Sequence, residues 1–247
     1  TAEPFSLIKG TVSGSTDAEG RFSIPLNLAA GDNAIKLTAT DAAGNVSNFS
    51  ATQEVVYETT APVISNISVS PNPAKAGRVT VSFEVSETLL SSPEVKINQE
   101  TATLVLRSPQ DGGGFRYQYT YNITATDQQG PAIISIEATD LAGNTKHKSW
   151  NNLLTIDLNA PNVPNAANLP AYTNLGTRAI AGTAEPNSRI RIYRNDALIA
   201  ETTSEADGAY NTNIGLVLGL NRIKITSEDS AGNISQVSEP QTITYDV

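Results

Sequence analysis

The stretch Thr38–Ser47 reads TATDAAGNVS, and it returns as EATDLAGNT over residues 137–145 and as TSEDSAGNIS over 226–235. Each copy follows a short alternating run: Ala34–Leu37, Ile133–Ile136 and Arg222–Ile225. Asp bonds its own backbone two residues on, Gly accepts positive φ, and Asn tolerates the left-handed region. Asp-x-Ala-Gly-Asn is therefore a tight connection between two antiparallel strands. The copies stand roughly 90 to 100 residues apart, the length of one β-sandwich module rather than of a solenoid repeat.

Composition agrees with packed modules. The chain has 247 residues, room for about two or three domains of ~100 residues. It carries 25 acidic against 16 basic side chains, a net charge of -9, and 39% hydrophobic residues, too apolar for a disordered polymer. The acidic balance lacks the basic footprint that nucleic acid requires. No apolar run approaches the ~20 residues of a membrane-spanning helix, so membrane insertion is not expected. Cysteine is absent, which excludes disulfides, thiol nucleophiles and thiolate metal sites. The chain opens on Thr1 without a signal peptide and contains no Met, as expected of a piece of a longer parent.

A second repeated mark divides the modules. Tyr57-Glu58-Thr59-Thr60-Ala61-Pro62 precedes the second copy of the turn, and Ile156-Asp157-Leu158-Asn159-Ala160-Pro161 the third. Proline fixes its own φ and biases its predecessor to extended geometry, so these joints read as short and stiff. The predicted domains are 1–60, 61–160 and 161–247.

Alternation supplies the strands. In the second module they fall at Val63–Val69, Arg78–Ser86, Glu94–Ile97, Thr103–Arg107, Phe115–Thr126, Ile133–Thr139 and Lys146–Ile156. Phe115, Tyr117, Tyr119, Tyr121 and Ile123 alternate with polar residues, a buried face against a wet one. The third module repeats the plan at Thr177–Ala184, Arg189–Arg194, Ala197–Ser204, Ala209–Ile214, Arg222–Ser227 and Ile234–Tyr245. In the first, Thr1-Ala2-Glu3-Pro4 matches Thr183-Ala184-Glu185-Pro186, which follows the second strand of module three. On that alignment the first module is N-terminally incomplete: either another chain supplies the missing strands, or the chain is a piece of a longer parent, with neighbouring domains as its partners, and this module is imperfectly folded.

The combination of TAPVISNISVSP (60–71), VSFEVSET (81–88), GTAEPNSRIRIY (182–193) and the three turns resembles the bacterial immunoglobulin-like domains of large surface proteins and adhesins. The resemblance covers essentially the whole chain. It implies an all-β fold of tandem Ig-like antiparallel β-sandwiches arranged as a rod, at the cell surface or outside the cell. It also implies a structural stalk or spacer role rather than an enzyme. The residues agree on the last point: no nucleophile elbow, phosphate loop or HExxH motif occurs, and the single His147 lies between two lysines. The alternative role is a carbohydrate- or ligand-binding accessory module of a secreted enzyme, recognising a surface glycan or protein ligand, for which Trp150 and a few tyrosines are the candidate contacts.

One constellation carries chemistry. In an Ig-type sandwich three loops cluster at the end where the chain enters. In module three these positions hold Glu185, Asp207 and Asp229, with Asp157 in the incoming linker; in module two they hold Glu87, Asp111 and Asp140, with Glu58 in the linker. Calcium, a hard cation taking six to eight oxygens, is the natural neutraliser of such a set. Related adhesin modules bind calcium at their joints, so the resemblance points the same way. The sequence puts the stronger expectation on Asp157 and its neighbours. The bare alternative is that turn-forming acids crowd into exposed loops.

Overall fold

In the computed structural model residues 11–247 are described, and every regular element is a strand. The match at Thr1–Pro4 lies outside the described residues. Among its described residues the first segment holds one strand pair, β1 (Gly31–Ile35) and β2 (Gln53–Tyr57), in antiparallel register.

The second module contains β3 (Ile64–Ser70), β4 (Gly77–Val85), β5 (Glu94–Ile97), β6 (Glu100–Thr101) and β7 (Thr103–Pro109). It continues with β8 (Phe115–Ile123), β9 (Gly130–Pro131), β10 (Ile134–Thr139), β11 (Thr145–Trp150) and β12 (Thr155–Ile156). Two four-stranded sheets, β3-β4-β8-β7 and β11-β10-β5-β6, enclose its core. The alternation read from β4 and β8 is realised in space. Val79, Val81, Phe83 and Val85 are buried together with Tyr117, Tyr119 and Ile123, and Phe83 stacks on Tyr117 at 5.6 Å between ring centroids. Tyr119 closes its polar end by donating to the Pro93 carbonyl at 2.5 Å, which satisfies a hydroxyl that burial would otherwise leave unpaired.

The third module contains β13 (Asn165–Ala166), β14 (Tyr172–Thr173), β15 (Thr177–Thr183) and β16 (Arg189–Arg194). It ends with β17 (Ala197–Thr203), β18 (Ala209–Gly215), β19 (Gly219–Glu228) and β20 (Gln241–Tyr245). Sheets β13-β15-β18 and β14-β20-β19-β16-β17 sandwich Ile180, Ile190, Ile192, Ile214, Ile223, Ile225 and Ile243. Burying each such side chain is worth about 1.5–3 kcal/mol.

Three strands end earlier or break where the sequence reads them as continuous. Lys146–Ile156 divides into β11 and β12 around a bend at Asn151–Leu153. Phe115–Thr126 stops at Ile123, because the Asp127 carboxylate takes both the N–H and the hydroxyl of Thr124. Ile234–Tyr245 forms a strand only from Gln241. Before it, the Ser235 and Ser238 hydroxyls accept the N–H groups of Ser227 and Ile225, replacing ladder bonds, and Pro240 has no N–H to give.

Candidate functional site: the module joints

The Asp-x-Ala-Gly-Asn turn is closed by the same two Asn-to-Asp bonds in all three copies. Asp140 Oδ1 accepts from the Ala142 and Asn144 N–H groups, both at 2.8 Å, and its Oδ2 accepts the Asn144 side-chain amide at 2.9 Å. Asp41 receives the matching bonds from Ala43 and Asn45, and Asp229 those from Asn233. The glycine sits at positive φ in each: 88° at Gly44, 92° at Gly143 and 88° at Gly232. The turn-forming chemistry read from the sequence is therefore present.

The asparagine does more than close the turn. The Asn144 side-chain amide also donates to the Glu58 carbonyl at 3.1 Å, and that of Asn233 to the Asp157 carbonyl at 3.0 Å. Both acceptors are the acidic residue of the incoming joint. The same asparagine thus pins the linker to the turn of the module it enters, at both joints. The second joint gains two further bonds. Lys75 Nζ, from module two, donates to the Gly232 carbonyl at 2.5 Å, and Ser227 Oγ, on β19, to Asn162 at 3.1 Å.

The eight predicted acids divide sharply. Glu58, Glu87 and Asp140 come together, with carboxylate oxygens all within 4.8 Å of one another, and they are the one such group of three or more among the described residues. Asp111, in the β7–β8 turn, does not join them. Asp157, Glu185, Asp207 and Asp229 do not converge either, which reverses the stronger expectation placed on the second joint. Three of them are engaged locally, as Asp140 is. Asp229 turns its carboxylate into its own loop, Asp207 Oδ1 caps the Ala209 N–H, and Asp157 Oδ1 caps the Asn159 N–H.

Electrostatics at the first joint reflect the crowding. Burial, then the Asp140 and Glu58 charges, push the Glu87 carboxyl above its ordinary range, with a smaller opposing contribution from Ser86. Asp140 moves the other way: burial raises it, but the Asn144 side chain and the backbone N–H groups of Asn144, Ala142 and Gly143 together outweigh burial. The donor set fits a hard cation in kind, all oxygen. With three of its roughly four lone-pair directions already used, Asp140 has little left to offer.

The remaining candidates take structural positions. Trp150 packs half-buried against the core of module two, with the Lys148 ammonium 5.0 Å from its ring centroid. Tyr117 and Tyr119 are buried, so the aromatic ladder of β8 faces the core. His147 is exposed on β11, opposite Glu137. No helix among the described residues is long and apolar enough to cross a membrane.

Residues 160–246 match the family model of the bacterial Ig domain. The third module is a bacterial Ig domain. The chain is also 25% identical, over 212 aligned residues, to a PII-type proteinase of Lacticaseibacillus paracasei, an alignment covering 76% of this chain. It spans only 11% of that proteinase's length. Among solved structures, the fibronectin(III)-like modules of Clostridium thermocellum CbhA align at 16% identity with a TM-score of 0.42, covering 74% of this chain and 94% of that one. A 1.5-MDa bacterial ice-binding adhesin aligns at 14% identity with a TM-score of 0.36, covering 76% and 67%. The Ig domain of module three and the sandwich of module two share the turn, and with it the Asn-to-linker bond.

Proposed function

We propose that this chain is a non-catalytic spacer segment of a longer bacterial surface or secreted protein, in which tandem Ig-like modules, divided at residues 60 and 160, follow one another in a rod. The single observation that carries the reading is the repeated bond from the turn asparagine to the linker carbonyl, Asn144 to Glu58 and Asn233 to Asp157. A joint whose backbone is tied to the next module transmits orientation, which a spacer needs and an isolated binding module does not. Membership of module three in the bacterial Ig domains, and the relation to a segment of a large proteinase, support an extracellular accessory role.

The finer part of the proposal is calcium at the first joint. There it would sit among Glu58, Glu87 and Asp140 and neutralise charges that now repel across a half-buried space. At the second joint the Lys75 ammonium already supplies positive charge beside the turn. Small-angle X-ray scattering tests the spacer reading. An elongated profile, its maximum dimension approaching the summed module lengths, supports it. A maximum dimension near that of a compact sphere of the same mass refutes it.

A further inference from the structure

The two four-stranded sheets of module two end on four outer strands, β3 and β7 on one sheet, β11 and β6 on the other. An outer strand carries a row of unpaired N–H and C=O groups, and bulges or brevity blunt it. Three of the four are blunted in this way. β3 slips register between Ser65 and Ser68, β7 slips between Leu104 and Leu106, and β6 has two residues. β11 differs. Thr145–Trp150 pairs with β10 through six consecutive positions without a slip, and residues 145–149 are all exposed.

The register shows which backbone groups are free. The turn closes with the Asp140 N–H donating to the Asn144 carbonyl, so the bonded pairs of the ladder are Ala138–Lys146, Ile136–Lys148 and Ile134–Trp150. Thr145, His147 and Ser149 therefore aim their N–H and C=O groups away from β10, where no strand pairs with them among the described residues.

The charge on this edge is the reverse of the chain's. Residues 146–148 read Lys-His-Lys in a chain of net charge -9. Lys146 and Lys148 share the face of Ala138 and Ile136, at the rim of the sandwich, where Lys148 Nζ lies 3.5 Å from the Ile64 carbonyl. Neither ammonium meets a carboxylate among the described residues. On the other face His147 stands opposite Glu137, and Glu137 opposite Glu94, whose carboxylate is paired with Lys96 at 2.8 Å. Lysines on a free edge repel a second copy of the same strand, which guards against self-association. They attract an acidic one.

We infer that β11 is a docking edge for an extended acidic segment of a partner protein, which adds antiparallel to the sheet. Main-chain bonds to Thr145, His147 and Ser149 fix its register. Carboxylates two residues apart then stand opposite Lys146 and Lys148, the non-hydrogen-bonded positions where side chains come closest. The regular row of backbone donors and acceptors selects a peptide over an acidic polysaccharide, which has no matching ladder.

A short synthetic peptide alternating Glu with Val, added to the full chain at low ionic strength, tests the assignment by amide hydrogen exchange. The amides of Thr145, His147 and Ser149 should slow by about tenfold or more, with those of β7 unchanged. Lys146→Glu together with Lys148→Glu, both at exposed positions, should lose that protection and gain it from the matching peptide of Lys and Val. No slowing at saturating Glu–Val peptide overturns the proposal. So does equal slowing by the same peptide N-methylated at alternate residues, or by polygalacturonate, because charge alone then suffices.

Discussion

The Asn233 side-chain amide spans a module boundary, giving one hydrogen to the Asp229 carboxylate of its own turn and the other to the Asp157 carbonyl of the linker. Asn144 does the same between Asp140 and Glu58. One residue thus both completes a tight turn and fixes where the preceding chain lies against it.

Replacing Asn233 by Ala removes both bonds while Gly232 keeps the turn's positive φ. The bond to the Asp157 carbonyl is worth about 0.5–1.5 kcal/mol and the one to the charged Asp229 carboxylate about 1.5–3 kcal/mol, so module three should lose about 2–4 kcal/mol in all. Calorimetry of N233A should show a lower melting temperature for that module, with module two unaffected. N144A should lower module two instead.

Stability of module two should depend on pH in two opposite ways. The Glu87 carboxyl titrates above its ordinary 4.5, so its charged form opposes folding; lowering the pH through its raised value toward 4.5 stabilises the module. Asp140 titrates below 3.8, so its contribution is present above 3.8 and is lost as pH falls further, through its depressed value. Denaturant midpoints across pH should therefore rise and then fall on acidification, and Glu87→Gln should abolish the rise while keeping the fall.

Calcium should bind at the first joint and raise the melting temperature of module two, by the equivalent of about 2.7 kcal/mol at a hundredfold excess over the dissociation constant. Titration calorimetry on Glu87→Gln should lose the heat, and on Asp229→Ala should retain it. Absence of heat in the parent protein would leave Glu58, Glu87 and Asp140 as a repulsive cluster held by the fold.

Gly182 lies on β15 where β13 crosses closely. A Cβ there would stand 1.8 Å from the Asn165 carbonyl oxygen and 2.7 Å from the Tyr210 hydroxyl, which itself donates to that carbonyl at 3.1 Å. Gly182→Ala should therefore displace β13 and cost module three about 1–3 kcal/mol, as overpacking of a core does. Burial pushes the Tyr210 phenol up to about 12, so its donor role persists at neutral pH and the loss should not vary across pH 6–9.

The sandwich was legible because its strands alternate cleanly and one face of each is apolar. Val79–Val85 and Phe115–Ile123 carry that signal almost without interruption. Strand ends were less legible, since Asp127, Ser235 and Ser238 compete for backbone groups through side chains that alternation does not weigh. The three turns were legible as turns from Asp, Gly and Asn alone. The second bond of Asn144 was not: its acceptor is a main-chain carbonyl 86 residues away, and any residue supplies a carbonyl. The acids at both joints were equally visible in sequence, yet only Glu58, Glu87 and Asp140 converge, because convergence depends on where the loops lie in space and not on residue type.

The most direct test of the account is a distance distribution across the second joint. The chain has no cysteine of its own, so spin labels on His147→Cys in module two and Glu239→Cys in module three, both exposed, report on the joint alone. Electron–electron double resonance should give one narrow distance peak in the parent background and a clearly broader distribution when Asn233→Ala is added. A parent distribution already as broad as that of the Asn233→Ala protein would contradict the claim that the asparagine bond holds the modules in line.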